Sequence, residues 1–209
     1  MRLYILDLGD GLDDRTFHEW SGMVSEERLN ALSRFVFRAD AERSLAGEIL
    51  ARAALSTAAA IAPSAIGFGR GPNGKPFAMT RRGEPLPEFN VSHSGRLVAC
   101  TVSPRPVGVD VEKFFSPDDA LLQRVCSGGE SRFVRASGDL LSAAFTLIWT
   151  LKESYLKALG TGLCDGLPGV DLSPFLTSDP AATLEFSFNA HFFRAFLHKE
   201  HAVSICEKM

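Results

Sequence analysis

Val107-Gly108-Val109-Asp110-Val111-Glu112, entered through Ser103-Pro104-Arg105-Pro106, is the stretch whose reading decides the fold class. On an extended strand side chains alternate, so Val107, Val109 and Val111 share one face and Gly108, Asp110 and Glu112 the other. The residues just before it, Leu97 to Val102, form a second apolar strand, and Phe89-Asn90-Val91 a third, separated by Ser92-His93-Ser94-Gly95. Links this short cannot hold the crossover that parallel strands need, so the spacing predicts an antiparallel meander.

Working outward, helices flank these strands. Arg2 to Leu8 alternates as a strand. Ser25 can cap a helix running toward Phe37, with Glu26 and Glu27 in its first turn. A longer helix is predicted from about Asp40 to Ala62, where Leu45, Ile49 and Ala53 recur at helical spacing and Pro63 discourages continuation. Ile66 and Phe68 alternate before Gly69-Arg-Gly-Pro-Asn-Gly-Lys-Pro76, which is too rich in Gly and Pro for helix. Downstream, Ser116-Pro117-Asp118-Asp119 reads as a helix start, and a major helix from Asp139 to Leu159 stops at Gly160. Val170 to Leu172, Thr183 to Phe188, Phe192 to Leu197 and Ala202 to Glu207 read as strands. The order of elements predicts an α+β fold of two similar, pseudo-two-fold halves, each with helices packed on a small antiparallel sheet. The halves divide as residues 1–103 and 104–209.

Composition narrows the function. The 209 residues suit one large domain or two halves, and 45% hydrophobic with 22% charged residues is the balance of a soluble globular protein. A net charge of −3 argues against non-specific nucleic-acid binding. Met1 to Asp10 lacks the features of a secretory signal, and no apolar run approaches membrane-spanning length. Cys100, Cys126, Cys164 and Cys206 form neither a C-x-x-C pair nor a zinc spacing, so a cytoplasmic protein with reduced structural thiols is expected.

Several groups carry chemistry. Asp110 and Glu112, side by side, need a counter-charge or a cation, although a half-buried strand with a solvated polar face shows the same alternation. In Trp149-Thr-Leu-Lys-Glu-Ser-Tyr-Leu-Lys157, Glu153 and Lys157 are four apart on one helical face. That spacing fits a surface ion pair, or, on so apolar a helix, two groups facing a cleft. Gly74-Lys75-Pro76 offers a backbone that can approach a ligand and a point charge beside it. Asn90-Val-Ser-His-Ser94 places Ser92, His93 and Ser94 at a strand end. Arg28, Arg34, Arg38 and Arg43 lie on or between the first helices.

The joint order of these motifs is more specific than any one of them. Gly-Lys-Pro, Asn-x-Ser-His-Ser, Gly-x-Asp-x-Glu and Trp-x-x-Lys-Glu-Ser-x-x-Lys follow one another as in the Sfp-type 4′-phosphopantetheinyl transferases, which the chain resembles over roughly residues 1–165. The resemblance implies transfer of phosphopantetheine from coenzyme A to a serine of an apo acyl or peptidyl carrier protein, releasing 3′,5′-ADP. It implies that Asp110, Glu112 and Glu153 hold Mg²⁺, with Mn²⁺ undistinguished, against the coenzyme A pyrophosphate. It also implies that Glu153 takes the serine proton, directly or through water, and that Lys157 stabilises phosphate charge or assists that deprotonation. Coenzyme A contacts are implied for Lys75, Ser92 and His93, with His93 and Arg43 near the 3′-phosphate and Gly74-Lys75-Pro76 along the adenine. Arg28 matches a further basic position of that phosphate pocket, and Asp110 and Lys157 meet the pyrophosphate. The first half thereby becomes the coenzyme A side and the second the metal and catalytic side.

Ala31 departs from the lysine some of the family carry, which weakens the expected grip on the 3′-phosphate. Glu130 falls where the family often has Glu, and its expected role here is to cap a short helix. Phe114, Phe115, Leu121, Leu122 and Val125 read either as part of a carrier-docking surface or as core. A single chain with two similar halves forms its site internally, so a monomer is expected, and the net charge and the lack of a long apolar run lead to no expected nucleic-acid or membrane partner. A non-catalytic coenzyme A or carrier-binding module is the alternative, and a coenzyme A hydrolase a second. All four of Asp110, Glu112, Glu153 and Lys157 are present, which favours the enzyme.

Overall fold

The alternation at Val107–Glu112 does produce a strand, but its partner lies far away in sequence. Residues 1–71, 73–162 and 167–209 are described by a computed structural model, in which the chain forms two units, Met1–Pro104 and Arg105–Met209. Cys164 lies outside the described residues.

The first unit opens with β1 (Arg2–Asp7), followed by α1 (Asp14–Ser21), α2 (Glu26–Leu32) and α3 (Arg38–Ala59). Then come β2 (Ile66–Arg70), β3 (Pro76–Thr80), β4 (Glu88–Ser94) and β5 (Leu97–Ser103). The sheet order is β1-β5-β4, all antiparallel, with β2 and β3 as a separate hairpin. Alanine-rich α3 packs closely on this sheet: Ala51, Ala54 and Leu55 meet Phe89, Cys100 and Val102 in one buried cluster. Small side chains let helix and sheet approach without voids. Ser25 caps α2 by accepting from the Arg28 amide at 3.2 Å. That helix ends at Leu32, short of Phe37, and helix α1 and strand β3 were not anticipated.

The second unit repeats the plan. β6 (Val107–Lys113) is followed by α4 (Asp119–Val125), α5 (Gly128–Ala136), α6 (Leu141–Leu159), β7 (Leu184–Phe188), β8 (His191–His198) and β9 (His201–Lys208). The sheet order is β6-β9-β8-β7, again antiparallel. In each unit the opening strand pairs with the closing one, and the closing strand with the one before it. This is the α+β architecture of two similar halves.

The predicted meander is corrected at one junction. β4 and β5 form the expected hairpin, but β6 leaves for a different sheet and pairs with β9. Three smaller corrections follow. Ser92, His93 and Ser94 belong to β4, and the turn falls at Gly95-Arg96, with Gly95 at φ +56°. Asp118, rather than Ser116, caps α4, accepting from the Leu121 amide at 2.7 Å. Val170–Leu172 is not a strand.

α6 carries apolar residues around most of its circumference because it is covered on two sides. Leu147, Leu151, Tyr155 and Ala158 pack on Phe193, Ala195, Ala202 and Cys206 of the sheet. Phe145, Ile148 and Leu156 pack on Leu122, Val125 and Val134 of α4 and α5. It ends at Gly160, whose φ of +71° suits a residue without Cβ. Cys100, Cys126 and Cys206 are buried and free, and burial pushes the thiols of Cys100 and Cys126 up to about 12, which makes them inert packing groups.

Candidate active site

The site is built where β6 crosses α6 inside the second unit. Gly108 makes this crossing close: a Cβ there would stand 2.0 Å from the Ser154 carbonyl oxygen and 2.5 Å from the Ala158 nitrogen. The face of β6 that carries Gly108 therefore lies on the backbone of α6, and Asp110, two residues on, shares it. Lys157 reaches back across this contact, its Nζ donating to Asp110 Oδ1 at 2.5 Å. The i,i+4 spacing left open a surface pair or two groups facing a cleft; here Lys157 bonds to Asp110 on the neighbouring strand while its charge also acts on Glu153.

Asp110 is 2% and Glu153 9% exposed, while Glu112 is half-buried. Carboxylates so placed need compensation. Glu153 Oε1 is buried and makes no hydrogen bond among the described residues. Burial pushes the Glu153 carboxyl above its ordinary range; the Asp110 charge adds to this, the Lys157 ammonium opposes it, and Glu112 raises it further. Asp110, Glu112 and Glu153 thus lie close enough to feel one another's charge.

Among the described residues, no group of three or more His, Cys, Asp or Glu side chains stands in metal-binding geometry. The donor set still fits a hard divalent cation, which prefers carboxylate oxygens. Such an ion would supply the partner that Glu153 Oε1 lacks and neutralise the mutual repulsion.

The candidates in the first unit form two groups. Arg43, on α3, donates to the Gly95 carbonyl at 3.2 Å and pairs with Asp40. This sets its guanidinium at the β4–β5 turn, close in sequence to the exposed His93. Ser92 is buried and, by strand alternation, faces away from His93, so the two do not converge as a strand-end cluster would. Lys75 lies in the β2–β3 turn, which Gly74 closes at φ +77°, and Pro76 opens β3. Lys75 Nζ is 3.8 Å from Glu88, and burial lowers its ammonium pKa against that attraction. Arg28 is already engaged, donating at 2.7 Å to both the Ser44 carbonyl and hydroxyl and pairing with Glu48 at 3.0 Å.

In the segment after Glu112 the core reading holds for Leu122 and Val125, while Phe114, Phe115 and Leu121 remain partly exposed. Leu122 and Val125 are buried, Phe115 and Leu121 pack on the same cluster, and Phe114 packs against the sheet side of α6.

One pair in this unit was not read from sequence as a pair. Lys152, 1% exposed, donates at 2.6 Å to Glu130, which is 0% exposed. Glu130 does cap α5 as expected: the Ser127 hydroxyl accepts from the Glu130 amide while the Glu130 carboxylate accepts from the Ser127 amide. A lysine on a mostly apolar helix, next to Glu153, is the available signal.

Comparison with known proteins gives the family. Residues 106–206 match the 4′-phosphopantetheinyl transferase superfamily model, and residues 13–105 match the model for the 4′-phosphopantetheinyl transferase N-terminal region. A 4′-phosphopantetheinyl transferase of Bacillus subtilis is 32% identical over 206 residues, covering 95% of this chain and 87% of the relative. The Bacillus pumilus transferase psf-1 is 33% identical, covering 88% and 78%. The Sfp transferase of Bacillus subtilis strain 168 is 30% identical, covering 88% and 81%. With relatives matched along most of both chains, and each unit matched by a model of its own, this chain belongs to the 4′-phosphopantetheinyl transferase superfamily, as a member of its Sfp-type family.

Proposed function

We propose that the family's reaction, transfer of 4′-phosphopantetheine from coenzyme A to a carrier-protein serine, is carried out in this chain by Asp110, Glu112, Glu153 and Lys157 with Mg²⁺. The observation that carries this assignment is the β6–α6 crossing, where three acidic side chains and one lysine share a mostly buried corner and Glu153 Oε1 is left without a hydrogen bond.

Asp110, Glu112 and Glu153 would hold the ion. When bound, Mg²⁺ supplies charge neutralisation at the pyrophosphate and orients the phosphorus under attack. In the reaction the serine Oγ forms a bond to the phosphorus that bears the pantetheine arm. The bond from that phosphorus to the bridging oxygen breaks, and 3′,5′-ADP leaves with the electron pair. The serine proton passes to Glu153, directly or through water. A carboxyl whose pKa is raised by burial and like charge is better matched to that task than an ordinary surface carboxylate. Lys157, held on the same corner by Asp110, balances negative charge on the phosphates or assists the deprotonation.

For the nucleotide end of coenzyme A the same reading assigns Arg43 and His93 to the 3′-phosphate, and Gly74, Lys75 and Pro76 to the adenine side. Ser92, buried on the opposite face of β4 from His93, is assigned a separate coenzyme A contact, and Arg28 supports the phosphate pocket from its bonds with Ser44 and Glu48. Mass spectrometry of an apo-carrier incubated with the chain, coenzyme A and Mg²⁺ tests the reading. A gain of one phosphopantetheine is expected, abolished by Asp110→Ala or by excess chelator. Full turnover in either condition would overturn the metal assignment.

A further inference from the structure

The buried Glu130–Lys152 pair does more chemistry than an ion pair needs. Lys152 Nζ donates to Glu130 Oε2 at 2.6 Å, to the Val125 carbonyl at 2.7 Å and to the Leu167 carbonyl at 2.9 Å. All three ammonium donors are thereby used. The Glu130 carboxylate also accepts from the Ser127 amide at 2.7 Å and the Leu172 amide at 2.9 Å. Two side chains thus join the end of α4, the start of α5, α6 and the chain at 167–172.

Stability alone does not explain this arrangement. Burying two charges costs so much desolvation that apolar replacements of similar volume are often as stable or more so. What the pair adds is directional: one lysine locked by three bonds fixes both the height and the rotation of α6. Lys152 directly precedes Glu153, and successive helical residues point about 100° apart. With Lys152 fixed toward α4 and α5, Glu153 is turned out of that layer, and Lys157, four residues on, meets Asp110. The opposite side of the helix is fixed by Gly108, whose missing Cβ lets β6 rest on the Ser154 and Ala158 backbone.

We propose that Glu130 and Lys152 are positioning residues, whose buried pair sets the orientation of α6 and so the placement of Glu153 and Lys157 for the transfer. This rests on the assignment of Glu153 and Lys157 to the active site.

The test is a double variant, Glu130→Gln with Lys152→Met, which removes both charges and leaves the site residues intact. We expect it to remain folded, with a KM for coenzyme A close to wild type, a higher Mg²⁺ concentration at half-maximal activity and a kcat reduced roughly 10- to 100-fold, as for displaced catalytic groups. A merely structural pair would lower the melting temperature and leave the kcat of the folded fraction and its Mg²⁺ requirement unchanged; that result overturns the proposal. If the double variant does not fold, Glu130→Asp decides, since it keeps the charge and draws the lysine back by one methylene. A folded Glu130→Asp enzyme with wild-type kcat and Mg²⁺ requirement also overturns it. Glu153→Gln in parallel separates the two claims. Undiminished turnover there rejects the site assignment, whereas loss of turnover there beside a fully active double variant rejects only the positioning role.

Discussion

Glu153 is held in an electrostatic conflict. Burial and the neighbouring Asp110 and Glu112 charges raise its pKa, and Lys157 only partly offsets them. A carboxyl whose folded pKa is raised contributes stability that is fully present below the ordinary carboxylate value and is lost as pH rises through the folded value. At neutral pH and without metal, Glu153→Gln should therefore melt higher than wild type, by roughly 2–4 °C if about 1 kcal/mol is relieved. The difference should close as pH falls below the ordinary carboxylate range, where wild-type Glu153 is itself protonated. Thermal melts in chelator at neutral and acid pH measure this, and an equal or lower melting temperature for the variant at neutral pH would sink it. The same residue shows what sequence could and could not say. Period-two alternation puts Asp110 and Glu112 on one strand face, and the i,i+4 rule puts Glu153 and Lys157 on one helix face. Neither rule brings the strand to the helix, so the Lys157–Asp110 contact was out of reach. Lys152 was harder still, because helix periodicity reads a lysine as solvated, and only tertiary structure supplies the three acceptors that bury it.

At the scale of elements, β6 and α6 form one working part, and Gly108 is where they touch. Gly108→Ala should destabilise the protein by at least ~2 kcal/mol, because the new Cβ would meet helix backbone that cannot rotate away. Urea unfolding checks this, and an unchanged midpoint would show that the strand does not lie as close to α6 as the structure places it. Turnover should fall with stability, since separating β6 from α6 also separates Asp110 from Lys157. The elements were legible to unequal degrees. α3 and α6 were readable because each combines a long periodic pattern with a clear stop, Pro63 for one and Gly160 for the other. β4 was cut short because Ser-His-Ser looks like a turn, while cross-strand pairing to Leu97–Ala99 holds it extended. The apolar residues of α4 looked equally suited to docking and to core. The packing of Leu122 and Val125 against α6 settles those two as core, so making Leu122 polar should unfold the second unit before it touches carrier recognition.

At the scale of the whole molecule, the repeated plan of two units was only partly visible from sequence. Element order suggested two halves, but the pairing that closes each sheet joins its first and last strands, as in Arg2 with Val102 and Val107 with Glu207. Such non-local pairing leaves no short-range pattern to read. The chain's proposed division of labour, nucleotide contacts in the first unit and metal in the second, makes a prediction about ligand-linked stability. A ligand that binds only the folded state stabilises by about 2.7 kcal/mol at a hundredfold excess over its Kd. Coenzyme A alone should raise the melting temperature through the first-unit contacts, and Mg²⁺ should add a further increment through Asp110, Glu112 and Glu153. In Asp110→Ala the coenzyme A shift should survive while the Mg²⁺ increment disappears; in a variant with Arg43 and His93 both replaced by Ala, the coenzyme A shift should shrink. Thermal melts of the three proteins with coenzyme A, Mg²⁺, both, and both plus chelator measure each part. A wild-type shift with coenzyme A that is the same with Mg²⁺ and with excess chelator would contradict the metal reading, because an ion held against the pyrophosphate must couple its binding to that of the nucleotide.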